Sequence, residues 1–122
     1  MNIEEYNFLA LRTAPDCDQL NSNLTHAALG IAGEAGEIVD TIKKVVFNGR
    51  AFDRSALVAE IGDTVWYINL LIATLGTTWE EVLTKNIAKL EARYPTNSYD
   101  HECSINRNDE KEAAAMVSVC RT

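Results

Sequence analysis

Apolar residues along this chain recur mostly at three- and four-residue spacing. No stretch alternates apolar and polar residues long enough to predict a strand, so the expectation is helices throughout. Turn and cap residues divide them. Residues 3–13 read as a short helix that stops before Pro15, because the residue preceding a proline avoids the helical region. Asp16, with Gln19 three residues later, resembles a capping box and opens a second helix that runs to about Val46 and ends at Asn48-Gly49. Asp53 or Ser55 caps a third helix, which continues to Leu75 and stops at Gly76. Thr78 and Glu81 form another capping-box pattern, and the fourth helix runs to about Arg93, before Pro95. Short connections between long helices imply antiparallel neighbours. The expected fold is therefore an all-α antiparallel bundle of four main helices over residues 1–95.

The remainder, residues 96–122, breaks the pattern. "TNSYDHECSINRNDEKE" is polar and aperiodic, and reads as loop or disorder. "AAAMVSVC", Ala113 to Cys120, is expected at most to form a short docking helix. The third helix carries the longest apolar run, "TVWYINLLIATLG". At 13 residues it is too short to span a bilayer and reads as a buried helix. It is apolar nearly all round from Val65 to Leu75. Such a helix needs neighbours on every side, so a homodimer or homotetramer is expected.

Composition narrows the function. The chain has 122 residues, 47% of them hydrophobic, with a net charge of −7. That length suits one domain, and the acidity excludes general binding to a nucleic-acid backbone. The N-terminus, "MNIEEYNF", is acidic and has no signal-peptide pattern. Three cysteines (Cys17, Cys103, Cys120) without CxxC spacing fit ordinary thiols in a reducing cytoplasm. A phosphate-bearing ligand would need a cation or a local Lys/Arg cluster as mediator.

The chemistry lies in two helices. In "GIAGEAGEIVD", Glu34 and Glu37 stand three apart on one helix face; in "EIGD", Glu60 and Asp63 do the same. One turn separates the two pairs, so antiparallel return brings them face to face. Ala27, Gly30, Ile31, Ile38 and Thr41 share the first face. Ala56, Leu57, Thr64 and Tyr67 share the second. Acids among such neighbours point to the bundle interior or its edge, not to a solvated stripe. Two like charges 4 Å apart cost about 4 kcal/mol at an effective dielectric of roughly 20, and several such pairs rival the roughly 5–15 kcal/mol stability of a small domain. Either protons or a cation must compensate. Oxygen ligands without His or thiolate suit Mg²⁺, with Mn²⁺ as a substitute. Gly30, Gly33 and Gly36 thin the first helix and Gly62 the second, at about 1 kcal/mol each relative to alanine. That loss makes sense if close packing or a ligand uses the space.

"GEAGE", then "EIGDTVWYI", then "NIAKLEARYP" together resemble the MazG-type all-α nucleoside triphosphate pyrophosphohydrolases. The resemblance covers about Asn23 to Pro95. It implies Mg²⁺-dependent hydrolysis of (d)NTP to (d)NMP and pyrophosphate, with nucleotide-pool housecleaning on dNTPs the expected role. It implies metal ligation by Glu34, Glu37, Glu60 and Asp63, with Glu34 or Glu37 handling the attacking water. It also implies substrate contacts from Lys85, Asn86, Lys89 and Arg93, and from Tyr67. Lys85, Lys89 and Arg93 independently form one basic stripe at i, i+4, i+8. His26, two turns before Glu34, is a further candidate for contact with base or sugar. No GxxxxGK[ST] loop or nucleophilic Ser or Cys constellation is present. A di-iron bundle would want Glu-x-x-His pairs, and neither His26 nor His101 follows a glutamate by three. The remaining alternative is a non-catalytic acidic helical interaction module.

Overall fold

The structure, a computed structural model, describes residues 1–15 and 20–119, Leu20 by its backbone alone. Among these residues there are six helices and no strand, so the chain is all-α. α1 spans Ile3–Leu11, α2 Leu20–Asn48, α3 Arg54–Thr74, α4 Trp79–Arg93, α5 His101–Ile105 and α6 Asp109–Ser118. Contacts divide the chain after Gly76 into two units, residues 1–76 and 77–122. α4 groups with the C-terminal segment in the second unit.

In the first unit the caps explain the boundaries. Asn2 accepts from the Glu5 backbone N–H at 2.9 Å, and the Glu5 carboxylate accepts in return from the Asn2 N–H at 3.0 Å. This reciprocal pair satisfies two donors that helix geometry leaves without partners. The cap expected at Asp16 and Gln19, and Cys17 between them, lie outside the described residues. α2 ends where Gly49 takes a φ of +65°, a left-handed conformation that glycine adopts without Cβ strain. Of the two candidate caps for α3, Asp53 serves: its carboxylate accepts from the N–H groups of Ser55 and Ala56 at 2.9 and 3.1 Å.

α2 and α3 pack against each other along their length. Glu34 meets Glu60 and Asp63, Gly30 meets Tyr67, and His26 meets Trp66 and Tyr67, so the two helices are antiparallel. α1 packs on α3. There the Trp66 indole N–H donates to the Ala10 carbonyl at 3.2 Å and to Thr13 Oγ1 at 3.0 Å. Among the described residues the buried apolar ones are Ala27, Leu70 and Ile72. The α3 segment that reads as an apolar run belongs to a 21-residue helix, and by length and composition that helix is long and apolar enough to cross a membrane. The 13-residue count underrates it, because Arg54 to Asp63 extends the helix with mostly apolar residues. Its own Glu60 and Asp63 are expensive groups to place in hydrocarbon, and both lie against α2.

In the second unit, Thr78 caps α4 by accepting from the Glu81 N–H at 3.1 Å. The Glu81 side chain accepts from Thr77 and Lys85. The stretch read as loop or disorder contains α5 and the start of α6, which continues into the short docking helix expected from Ala113; each helix has a local cap. Asp100 accepts from the Cys103 N–H and Asn108 from the Lys111 N–H, both at 2.8 Å. α6 packs on α4, and Glu112, from the polar stretch itself, is buried in that contact. Cys103 is a free, half-buried thiol; Cys120 lies outside the described residues.

Candidate active site

Antiparallel pairing sets Glu34 of α2 opposite the start of the second turn pair in α3. One carboxylate oxygen from each of Glu34, Glu60 and Asp63 lies within 4.8 Å of the other two. Glu34 and Glu60 are half-buried and Asp63 is exposed, so the cluster sits at the edge of the helix pair. The neighbours on those faces are half-buried or, for Ala27, fully buried. Glu37 is exposed one turn along α2 and stands outside the three-oxygen cluster. Its charge still reaches Glu34.

The electrostatics are one-sided. Burial pushes the Glu34 carboxyl above the ordinary value of 4.5, and the charges of Asp63, Glu60 and Glu37 push it further. A group held this way binds a proton more readily than usual, because burial and like charges both disfavour its ionised form. Three carboxylates, with neither imidazole nor thiolate among them, are the donor set of a hard divalent cation. The residues present therefore fit Mg²⁺ or Mn²⁺.

Above the cluster lies a small aromatic group. The Trp66 and Tyr67 rings meet edge-on at 4.9 Å between centroids and 89° between planes. His26 meets Tyr67 at 5.6 Å and Trp66 at 6.5 Å. The structure thus joins His26 and Tyr67 to each other, one turn or more from the acids. A further residue was not legible in the sequence: Tyr6 of α1. Burial raises the Tyr6 phenol above its ordinary value and the Asp63 carboxylate raises it further, which brings α1 to the rim of the acidic cluster. Nothing in "MNIEEYNF" signals that contact.

The basic stripe belongs to the second unit. Lys85 pairs with Glu81 of its own helix at 2.6 Å, both partly exposed. Asn86 is exposed and Lys89 half-buried on α4. Arg93 is engaged by the C-terminal segment: its Nε and Nη2 each donate to a Glu112 carboxylate oxygen at 2.8 Å. This fork is the planar, two-bond geometry in which arginine binds carboxylates most strongly. Arg107 approaches the same carboxylate at 3.8 Å, and Lys89 contributes to its field.

An all-α chain that gathers acids from two antiparallel helices defines a class of helical carboxylate proteins. Residues 22–98 match the MazG nucleotide pyrophosphohydrolase domain, and the chain belongs to that family. It is also 32% identical over 102 residues to the "Gene 37 protein" of Mycobacterium phage L5, an alignment covering 76% of this chain and 89% of that relative. No solved structure gives a significant match.

Proposed function

We propose that this chain is a Mg²⁺-dependent nucleoside triphosphate pyrophosphohydrolase, converting (d)NTP to (d)NMP and pyrophosphate, with dNTPs favoured and pool housecleaning as its role in the cytoplasm. The observation that carries the reading is the meeting of Glu34, Glu60 and Asp63 oxygens within 4.8 Å, inside the span that matches the family. A cation held there would neutralise triphosphate oxygens and stabilise the charge that develops on them. The chain's own residues do the rest. Glu60 and Asp63, three apart on α3, present two carboxylates from one rigid face, and Glu34 completes the set from α2. Glu37, outside the three-oxygen cluster but one turn from Glu34, has the freedom either to join as a fourth ligand or to orient a water and take its proton. That water attacks the α-phosphorus in line. The bond from the α-phosphorus to the bridging oxygen breaks, and pyrophosphate leaves. Tyr67 and His26, whose rings meet each other beside the acids, take the nucleoside in this reading. Lys85 and Lys89 supply the N-terminal part of the basic stripe on α4 and Asn86 a neutral polar contact beside it, while Arg93 has its charge already shared with Glu112.

A second copy of the chain is part of the proposal. Leu29, Val39, Val46 and Phe47 of α2 are 64–81% exposed, with Val58 and Ile61 of α3 about half exposed. A Cβ added at Gly33, Gly36 or Gly62 would meet nothing within 4 Å. Close-packing small residues amid exposed aliphatic ones form a face suited to another helix pair. Sedimentation at micromolar concentration is expected to give a dimer or tetramer; a monomer would remove this part.

The deciding test is pyrophosphate release from the eight common NTPs and dNTPs with Mg²⁺, run beside Glu37→Gln. Release that is lost in the variant supports the reading. No release from any of the eight, together with no Mg²⁺-induced gain in melting temperature, would favour the non-catalytic interaction module instead.

A further inference from the structure

Of the six glycines, one is demanded by a neighbour within the chain. A Cβ built on Gly30 would lie 2.1 Å from Cδ1, 2.2 Å from Cε1 and 2.5 Å from Cγ of Tyr67. No such contact can exist, so any side chain at position 30 must expel the ring. The ring has little room to yield. Trp66 stands perpendicular to it at 4.9 Å, and His26 closes on it at 5.6 Å and 77°. Trp66 is itself fixed, because its indole N–H is held by the Ala10 carbonyl and Thr13 Oγ1 at the end of α1. The place of Tyr67 is therefore set by three elements at once: an absent side chain on α2, an anchored indole on α3, and α1 behind it.

The register gives this seat a meaning. Gly30 precedes Glu34 by four residues on α2, and Tyr67 follows Asp63 by four on the antiparallel α3. Both lie one turn, about 6 Å, along the same seam from the carboxylates. A triphosphate whose phosphates are held at the acids must send its next chemical group, the sugar and base, along the seam. The first side chain met in this direction on α3 is the ring that Gly30 admits. An aromatic ring offers a stacking surface to a base without reading its hydrogen-bonding edge.

We propose that Gly30 is a positioning residue: its missing side chain seats the Tyr67 ring on the α2–α3 seam, one turn from the carboxylates, where the ring supports the nucleoside part of the substrate. The inference rests on the function proposed above and adds a residue that acts only through another. In the helix interior alanine is otherwise the better residue, so the sign of its effect depends on whether Tyr67 is present.

The test is a double-mutant cycle of Gly30→Ala and Tyr67→Ala on the full chain. With the best triphosphate of the eight, Gly30→Ala is expected to raise KM about tenfold, the size of one lost base–aromatic contact, with kcat much less affected. In the Tyr67→Ala background it should add no further rise in KM. Inhibition by inorganic tripolyphosphate, which lacks a nucleoside, should be unchanged, as should the Mg²⁺-induced melting shift. Melting temperature gives an independent reading. Gly30→Ala should lower it in the parent and raise it in the Tyr67→Ala chain; if Gly30→Ala alone does not fold, recovery of folding in the double variant reports the same coupling. An active parent in which Gly30→Ala leaves KM alone, or adds its full effect on top of Tyr67→Ala, overturns the inference while leaving the function intact. A parent that releases no pyrophosphate from any triphosphate overturns both.

Discussion

Glu34 and Glu112 are the same residue in opposite circumstances. Glu34 meets two acids and no cation, and its affinity for a proton rises. Glu112 is 4% exposed, yet it accepts two charge-assisted hydrogen bonds from Arg93, lies near Arg107, and is held below the ordinary carboxylate range, chiefly by the Arg93 bonds. A fold that needs a carboxylate for its own structure supplies the cations with it, as the α4–α6 contact does. A fold that gathers carboxylates without such partners loses stability at that spot, and a proton or a bound cation would relieve it. The contrast separates an acid used for folding from one that, on the function proposed above, serves chemistry.

The largest expected effect falls on activity at the uncompensated cluster. Glu60→Gln or Asp63→Asn should reduce pyrophosphate release by about 10³-fold or more, in the range set by loss of a catalytic group acting in concert. The same variants should melt no lower than the parent in metal-free buffer, because they remove repulsion. A variant that loses activity only because it unfolds would erase the contrast with Glu112.

Glu112→Gln comes next, and its effect falls on stability. It leaves the half-buried Arg93 guanidinium without its bidentate partner. Breaking such a pair from one side is among the more damaging single changes, and a drop in melting temperature of about 10 °C or more is expected by thermal denaturation. Arg93→Lys in the parent should also lower the melting temperature, because an ammonium cannot make the planar two-bond contact with Glu112. A Glu112→Gln chain that melts with the parent would show that the pair contributes nothing to holding α6 on α4.

Metal sharpens the comparison further. Millimolar Mg²⁺ or Mn²⁺ should raise the melting temperature of the parent by several degrees, about 4 °C or more at saturation, and of Glu112→Gln by the same amount. Glu34→Gln should lose most of that shift. The two sites should also respond to pH with opposite signs. Glu34 binds its proton more tightly folded than unfolded, so between 4.5 and its raised value the metal-free chain loses stability as pH rises. Glu112 is the reverse: its contribution is present above 4.5 and is lost as pH falls through its lowered value. Melting temperature measured against pH for parent, Glu34→Gln and Glu112→Gln checks both slopes. Glu34→Gln should flatten the limb above 4.5 and Glu112→Gln the limb below it.

Much of the first site was legible because it rests on local spacing. Acids at i, i+3 share a helix face whatever the tertiary structure, and one tight connection forces the second pair to return opposite the first. The same logic placed Tyr67 on the acidic face. Tyr6 was not legible, because its approach to Asp63 depends on how α1 lies on α3 and leaves no periodic trace. Glu112 was illegible for a related reason. In "RNDEKE" it is one charge in a polar run, and its burial is decided by Arg93, nineteen residues earlier in the chain. Only the start of α6 escaped, because it is charged: the short docking helix expected from Ala113 begins at Asp109, behind the Asn108 cap, and packs on α4. The glycines divide in the same way: the local rule marks all of them as costly, but only packing shows that Gly30 makes room for a ring while Gly33, Gly36 and Gly62 face open space.

Lys85 carries the smallest expected change in stability and tests the boundary between the two kinds of site. Its pair with Glu81 spans one turn of α4 with both side chains more than a third exposed, and pairs of that kind contribute little. Lys85→Ala should therefore shift the melting temperature by no more than about 2 °C. Its effect on KM is the informative quantity. If the α4 stripe meets the triphosphate, removing one flexible point charge should raise KM several-fold, and should do so more strongly at low salt, where screening is weak. Arg93 is held in its fork with Glu112, so a KM that depends on Lys85 and steepens at low ionic strength would place the substrate's charge toward the N-terminal end of the stripe.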